Sequence, residues 1–126
     1  MQYWKMGLVA IVLLIILSGC SKKPEFKSMT MEQFIRKQEN EDQFVLIDVR
    51  EVSEFKEGRI PGAVLIPLGE LKAKDIEYAK DKEIILVCRS GNRSSSAAAF
   101  LVDKGFSNVH NLVGGMLAWA GPVEKD

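Results

Sequence analysis

The sequence predicts an α/β domain built on a mainly parallel sheet that is covered on both sides. Three observations predict it. Segments of strand character alternate with segments of helical spacing along the chain. The two central strand segments, in Gln43–Val49 and Glu83–Val87, are apolar on both faces rather than alternating. The 126 residues are 47% hydrophobic and 27% charged, an ordinary globular composition with enough length for one domain.

The N-terminal segment stands apart from that domain. Lys5 precedes an unbroken apolar run, Met6–Leu17, of twelve residues. A membrane-spanning helix needs about 20, and the shorter length matches the core of a signal peptide. The run closes on Leu17-Ser18-Gly19-Cys20, which resembles the lipobox of bacterial lipoproteins. That resemblance implies cleavage before Cys20 and lipid on its sulfur. The expected division is a signal peptide over 1–19, a lipidated N-terminus and linker over 20–27, a folded domain over 28–122 and a tail over 123–126. The implied location is extracytoplasmic, anchored by lipid to a bacterial membrane.

The domain's elements follow in order. Thr30 is an N-cap candidate with Gln33 three residues on, a capping-box spacing, and Met31, Phe34 and Ile35 give the following helix an apolar side. Gln43–Val49 reads as a buried strand. Val52–Gly58 reads as a short helix stopped by Gly58. Ile60–Pro67 lies between prolines and suits an edge strand. Leu68–Lys80 offers one or two weak helical turns. Glu83–Val87 is the second fully apolar strand. A helix is expected from near Ser94 or Ser95, capped by hydroxyls, with Gly105 as its stop. Asn108–Gly115 supplies a last strand and Met116–Gly121 a short helix, with Gly114-Gly115 read as a turn and Trp119 as a packing aromatic.

The stretch "CRSGNRS", Cys88–Ser94, carries the chemistry. It leaves a strand end and enters a helix, the place where parallel sheets bind ligands. Asp48 ends the other apolar strand, on the same edge if the two strands are parallel. Gly91 lets the loop curl, so that backbone N–H groups point inward beside a helix N-terminus. Such surroundings, with Arg89 and Arg93 near, favour a thiolate and an anion beside it. Once Cys20 carries lipid, Cys88 is the one remaining thiol, so no disulfide framework exists. Lys+Arg and Asp+Glu both number 17, which leaves no net field to draw nucleic acid.

Two stretches carry a family resemblance. "LIDVREVSEFKEGRIPGAVLIPL" and "ILVCRSGNRSSSAAAFLVDKGFSNVHNLVGGMLAWAG" together resemble a single-domain rhodanese, a sulfurtransferase. The resemblance implies a five-stranded, mainly parallel sheet with helices on both faces. It implies Cys88 as the catalytic nucleophile, accepting sulfane sulfur from a donor such as thiosulfate and passing it to a thiophilic acceptor. Arg89, Ser90, Gly91, Asn92, Arg93 and Ser94 would bind the donor, and Asp48 and Arg50 would brace the loop. A small anionic donor, cyanide, a small thiol or a protein thiol are the expected partners, with no cofactor and no metal. Arg59 replaces the histidine of many relatives and does not exchange protons near neutral pH. His110, the one histidine, is expected to be structural rather than paired with Cys88.

The sequence leaves two other functions open. A sulfur carrier or interaction module without turnover would use the same fold. A phosphatase or arsenate reductase would need five residues between cysteine and arginine, whereas four separate Cys88 from Arg93.

Overall fold

The computed structural model describes residues 25–126. The N-terminal apolar run and Cys20 lie outside them. Five strands form one sheet in the order β1-β5-β4-β2-β3. They are β1 (Lys27–Met29), β2 (Val45–Asp48), β3 (Val64–Leu65), β4 (Ile84–Val87) and β5 (Val109–Leu112). All four neighbouring pairs are parallel. The helices between them are α1 (Met31–Glu39), α2 (Val52–Glu57), α3 (Leu68–Ala73), α4 (Asn92–Asp103) and α5 (Gly115–Ala118).

The apolar central strands are buried on both sides because helices cover both sides. Ile47, Val49, Ile84 and Leu86 face Leu71 of α3 and Ala97, Ala98 and Leu101 of α4. Leu46, Ile85, Val87 and Leu112 face Phe34 of α1 and Ile60, with Met116 and Trp119 packed alongside. Ile47, Ile84, Ile85 and Leu86 are fully buried, and each such side chain contributes about 1.5–3 kcal/mol relative to exposure. The paired alanines of α4 leave no bulk between helix and sheet. Phe34 meets Trp119 edge-on at 5.9 Å, which ties α1 to the chain after α5.

The expected capping box at α1 is present. Thr30 Oγ1 accepts from the Gln33 N–H at 3.1 Å, and Gln33 Oε1 accepts from the Thr30 N–H at 2.9 Å. β3 is a two-residue edge strand, as its prolines require.

Three boundaries differ from the sequence reading. The linker expected over 20–27 gives up Lys27 to β1, which pairs with His110–Leu112 of β5. The tail expected over 123–126 folds back on the domain. Glu124 forms an antiparallel bridge with Arg59, and Arg59 Nη1 reaches Asp126 Oδ1 at 2.8 Å. Finally, α4 starts at Asn92, with Gly91 rather than a serine as its N-cap.

The topology positions the site. The chain leaves β2 toward β3 and leaves β4 toward β5, in opposite directions across the sheet. The switch therefore falls between β2 and β4. Asp48 is in register with Val87 there, and the Val49 N–H donates to the Val87 carbonyl at 3.0 Å. Cys88 emerges from β4 at that crevice.

Candidate active site

Cys88 sits at the floor of its loop, 1% exposed, rather than on an open surface. The loop closes over the sulfur because Gly91 adopts φ 116°, a left-handed conformation that favours glycine. That turn aims the Gly91 N–H at Cys88 Sγ, 3.0 Å away. The Ser94 hydroxyl, in the first turn of α4 and wholly buried, lies 3.3 Å from the same sulfur. Burial pushes the Cys88 thiol up. Hydrogen bonds from the Ser94 hydroxyl and from the N–H groups of Ser94, Gly91 and Ser90 outweigh it, so the thiol lies below its ordinary value.

The serines expected to cap the helix do other work. Ser95 Oγ donates to the Gly91 carbonyl at 2.7 Å, and the Ser94 hydroxyl turns between Cys88 and Asn111 of β5. The cap position itself needs no side chain because Gly91 supplies the turn.

The two arginines of the loop divide. Arg89 is exposed at the loop's rim. Arg93, expected beside an anionic donor, instead gives its guanidinium to Glu54 of α2, at 2.7 and 2.8 Å. This bidentate pair fastens α2 to the first turn of α4. Arg93's hydrogen bonds hold the Glu54 carboxyl at about 2, against burial, and the Glu51 N–H and the Arg50 charge act in the same direction as Arg93. Sequence reading missed Glu54 as a site residue, although it lies in a quoted signature stretch. The signal available was its place in that stretch, where Glu54-Phe55 follows Asp48-Val49-Arg50-Glu51.

Asp48 and Arg50 come together as a buried pair, 0% and 6% exposed. Arg50 Nε and Nη2 reach the Asp48 carboxylate at 2.8–3.1 Å, and Nη2 also donates to the Gly58 carbonyl at 2.8 Å. The pair thus fixes the chain on either side of α2. Beside it an open cleft of about 290 Å³ is lined by Arg50, Glu54, Glu57, Gly58, Arg89, Met116 and Leu117.

The far wall of the loop is backbone. The N–H groups of Met116 and Leu117 donate to the carbonyls of Cys88 and Arg89 at 2.9 and 3.1 Å. This approach requires Gly115, with φ 53°, because a Cβ there would lie 2.3 Å from the Cys88 carbonyl oxygen. The Gly114-Gly115 pair, read from sequence as a plain turn, holds the active loop in place.

His110 is away from this site, as expected. It pairs in register with Ile85, three residues before Cys88, about 10 Å back at the parallel-strand rise. Its Nε2 lies 3.0 Å from Asn108 Oδ1. Burial lowers its pKa, aided by Lys27 and Lys37, with Glu83 opposing. The described residues hold no cluster of metal-ligating side chains.

A thiol held low in a ring of N–H donors can act as a nucleophile and keep a charged sulfur in place. Comparison with known proteins gives the same direction. A family model for the rhodanese-like domain matches residues 30–122. YtwF of Bacillus subtilis (strain 168), provisionally named a sulfurtransferase, is 42% identical over 100 residues, covering 79% of this chain and 96% of the relative. The thiosulfate sulfurtransferase GlpE of Pseudoalteromonas translucida (strain TAC 125) is 33% identical over 94 residues, covering 75% and 89%. Against YrkF of the same Bacillus, provisionally named a sulfur carrier protein, the match is 38% over 96 residues, and the chain spans about half (52%) of that relative. The crystal structure of a rhodanese-like domain protein from Staphylococcus aureus superposes with a TM-score of 0.74 at 29% identity, covering 80% of this chain and 99% of that one. The sheet, the cysteine loop at its switch point and these likenesses agree: the chain belongs to the rhodanese-like domain family.

Proposed function

We propose that this protein is a sulfurtransferase that works through a persulfide on Cys88. The observation that carries the reading is the sulfur's setting, under the N–H groups of Ser90, Gly91 and Ser94 with the Ser94 hydroxyl beside it. In the first step the Cys88 thiolate attacks the outer sulfur of a sulfane donor. With thiosulfate, the new Cys88 S–S bond forms as the old S–S bond breaks, and sulfite leaves with the electron pair. In the second step a nucleophilic acceptor, cyanide or a thiolate, attacks the terminal sulfur and Cys88 leaves as thiolate. The inward N–H groups hold the negative charge of the persulfide between steps.

The donor is cradled by the backbone of Arg89–Ser94 and by the exposed Arg89 charge. Arg93 contributes by holding the loop's exit to α2. Tetrahedral oxyanion chemistry fits less well, because a phosphatase-type loop needs a longer ring and an arginine free to embrace the anion. Here the ring is one residue shorter and Arg93 is bound to Glu54.

Intact-mass measurement tests the cycle. Incubation with thiosulfate is expected to add one sulfur to Cys88, and a reducing thiol to remove it. Cys88→Ser is expected to take up none; sulfur loading retained in that variant refutes the assignment.

We also propose that Cys20 is lipidated and tethers the domain outside the cytoplasm. The support is the apolar run and the small residues before Cys20. Six residues lie between Cys20 and the start of β1 at Lys27, a span of seven Cα–Cα steps. Fully extended, they reach about 25 Å at most, so the tether keeps the domain close to the bilayer.

A further inference from the structure

One buried hydroxyl in the site has more acceptors than protons. Ser94 Oγ lies 3.3 Å from Cys88 Sγ, 2.5 Å from Asn111 Oδ1 and 3.1 Å from the Gly91 carbonyl oxygen. A hydroxyl donates once. The Gly91 carbonyl already accepts from the Ser95 N–H at 3.0 Å and the Ser95 hydroxyl at 2.7 Å, so both its lone pairs are engaged. The contest is therefore between the sulfur and Asn111.

Asn111 is suited to settle it. It stands on β5 opposite Leu86 of β4 and is 7% exposed. Its amide makes no other side-chain hydrogen bond among the described residues. A half-turn of that amide exchanges its acceptor end for its donor end, with little change of shape and no other bond broken.

We infer that Asn111 is a positioning residue that sets the direction of the Ser94 proton according to the charge on Cys88. In the thiol state the chain runs outward: Cys88 S–H donates to Ser94 Oγ, and Ser94 O–H donates to Asn111 Oδ1. In the thiolate state it runs inward: Asn111 Nδ2–H donates to Ser94 Oγ, and Ser94 O–H donates to the sulfur. The only proton lost is that of Cys88, which leaves to solvent. Ser94 and Asn111 keep theirs and change direction. An amide does this where a carboxylate cannot, since an ionised carboxylate only accepts. The inward chain also polarises the hydroxyl and strengthens its bond to the anion. The inference rests on Cys88 working as a thiolate, whatever the sulfur donor, and its test reads the thiol directly.

The test uses the full chain in detergent micelles. Alkylation rate against pH, read by mass on the peptide containing Cys88, gives the midpoint of its ionisation. Ser94→Ala is expected to raise that midpoint by about one pH unit, a roughly tenfold loss of thiolate below it. Asn111→Leu, which keeps the branched outline and removes the amide, is expected to cost about threefold in the same direction, and nothing more when Ser94→Ala is already present. An unchanged midpoint in Asn111→Leu, or a shift that persists in full without the Ser94 hydroxyl, overturns the proposal. A second readout needs no variant of Asn111. In the unaltered protein the side-chain amide protons of Asn111 are expected to shift in NMR spectra with the Cys88 midpoint, and to stay fixed in Cys88→Ala. Amide signals that ignore the titration in the unaltered protein overturn it equally.

Discussion

Replacing Glu54 by Gln isolates the strap between α2 and α4. The substitution keeps the size of the side chain and removes the charge that pairs with Arg93. The carboxyl is held at about 2 against an ordinary 4.5, which sets a ceiling of about 3 kcal/mol at ~1.36 kcal/mol per pH unit. The two side chains are 29% and 33% exposed, and Gln still offers Arg93 one acceptor, so the expected loss near neutral pH is about 1–2 kcal/mol. The sign follows from the depressed value. The pair's contribution is complete above about pH 4.5, where the unfolded carboxylate is ionised, and it disappears as pH falls through about 2. Urea denaturation followed by circular dichroism across pH 2–8 measures the gap between the two proteins. The gap is expected to be flat above about pH 5 and to close toward pH 2. A gap of equal size at pH 3 and pH 7 refutes the electrostatic reasoning, and no gap at pH 7 refutes the strap itself. Sulfur loading is expected to slow by roughly threefold to tenfold, because the first turn of α4 carries Ser94 and loses its anchor.

Three further outcomes follow from the same geometry. Gly115→Ala places a Cβ 2.3 Å from the Cys88 carbonyl oxygen and is expected to cost about 1–3 kcal/mol in urea denaturation while displacing the loop enough to suppress loading; normal loading at unchanged stability contradicts the close approach. Asp48→Ala strands the buried Arg50 guanidinium and is expected to cost about 3–5 kcal/mol, read as a lowered urea midpoint; a loss below 1 kcal/mol in size would show the pair to be dispensable. Cys20→Ala is expected to move the protein from the membrane to the soluble fraction; unchanged fractionation points to an anchor other than lipid on that residue.

Much of this architecture was legible in local pattern. Doubly apolar strands forecast a sheet covered on both sides, and Ile47, Ile84 and Leu86 are buried under helices as that pattern requires. Thr30 and Gln33 forecast their own reciprocal hydrogen bonds. Cys88 at a strand end before Gly91 forecast a thiol under backbone N–H groups. Other parts left no local trace. β1 is three residues, Lys27–Met29, with only Met29 buried, so no alternation marks it as a strand. It exists because β5 offers an open edge. The serines after Asn92 read as helix caps because hydroxyls commonly cap; Ser94 turns inward only because Cys88 and Asn111 meet there.

The sequence by itself determined what repeats locally: hydrophobic period, strand ends, a capping box and a cysteine loop with its glycine. These depend on neighbours within a few residues, whose geometry the backbone fixes. The tertiary structure alone decided which distant groups became partners. Arg93 meets Glu54 across 39 positions of sequence, Ser94 meets Asn111 across 17, and Gly115 presses its backbone on Cys88. Hydrogen bonds and ion pairs are short-ranged and directional, so a side chain's type states what it can bond but not what it will face. That choice was made when the parallel sheet brought the ends of β2, β4 and β5 to one edge.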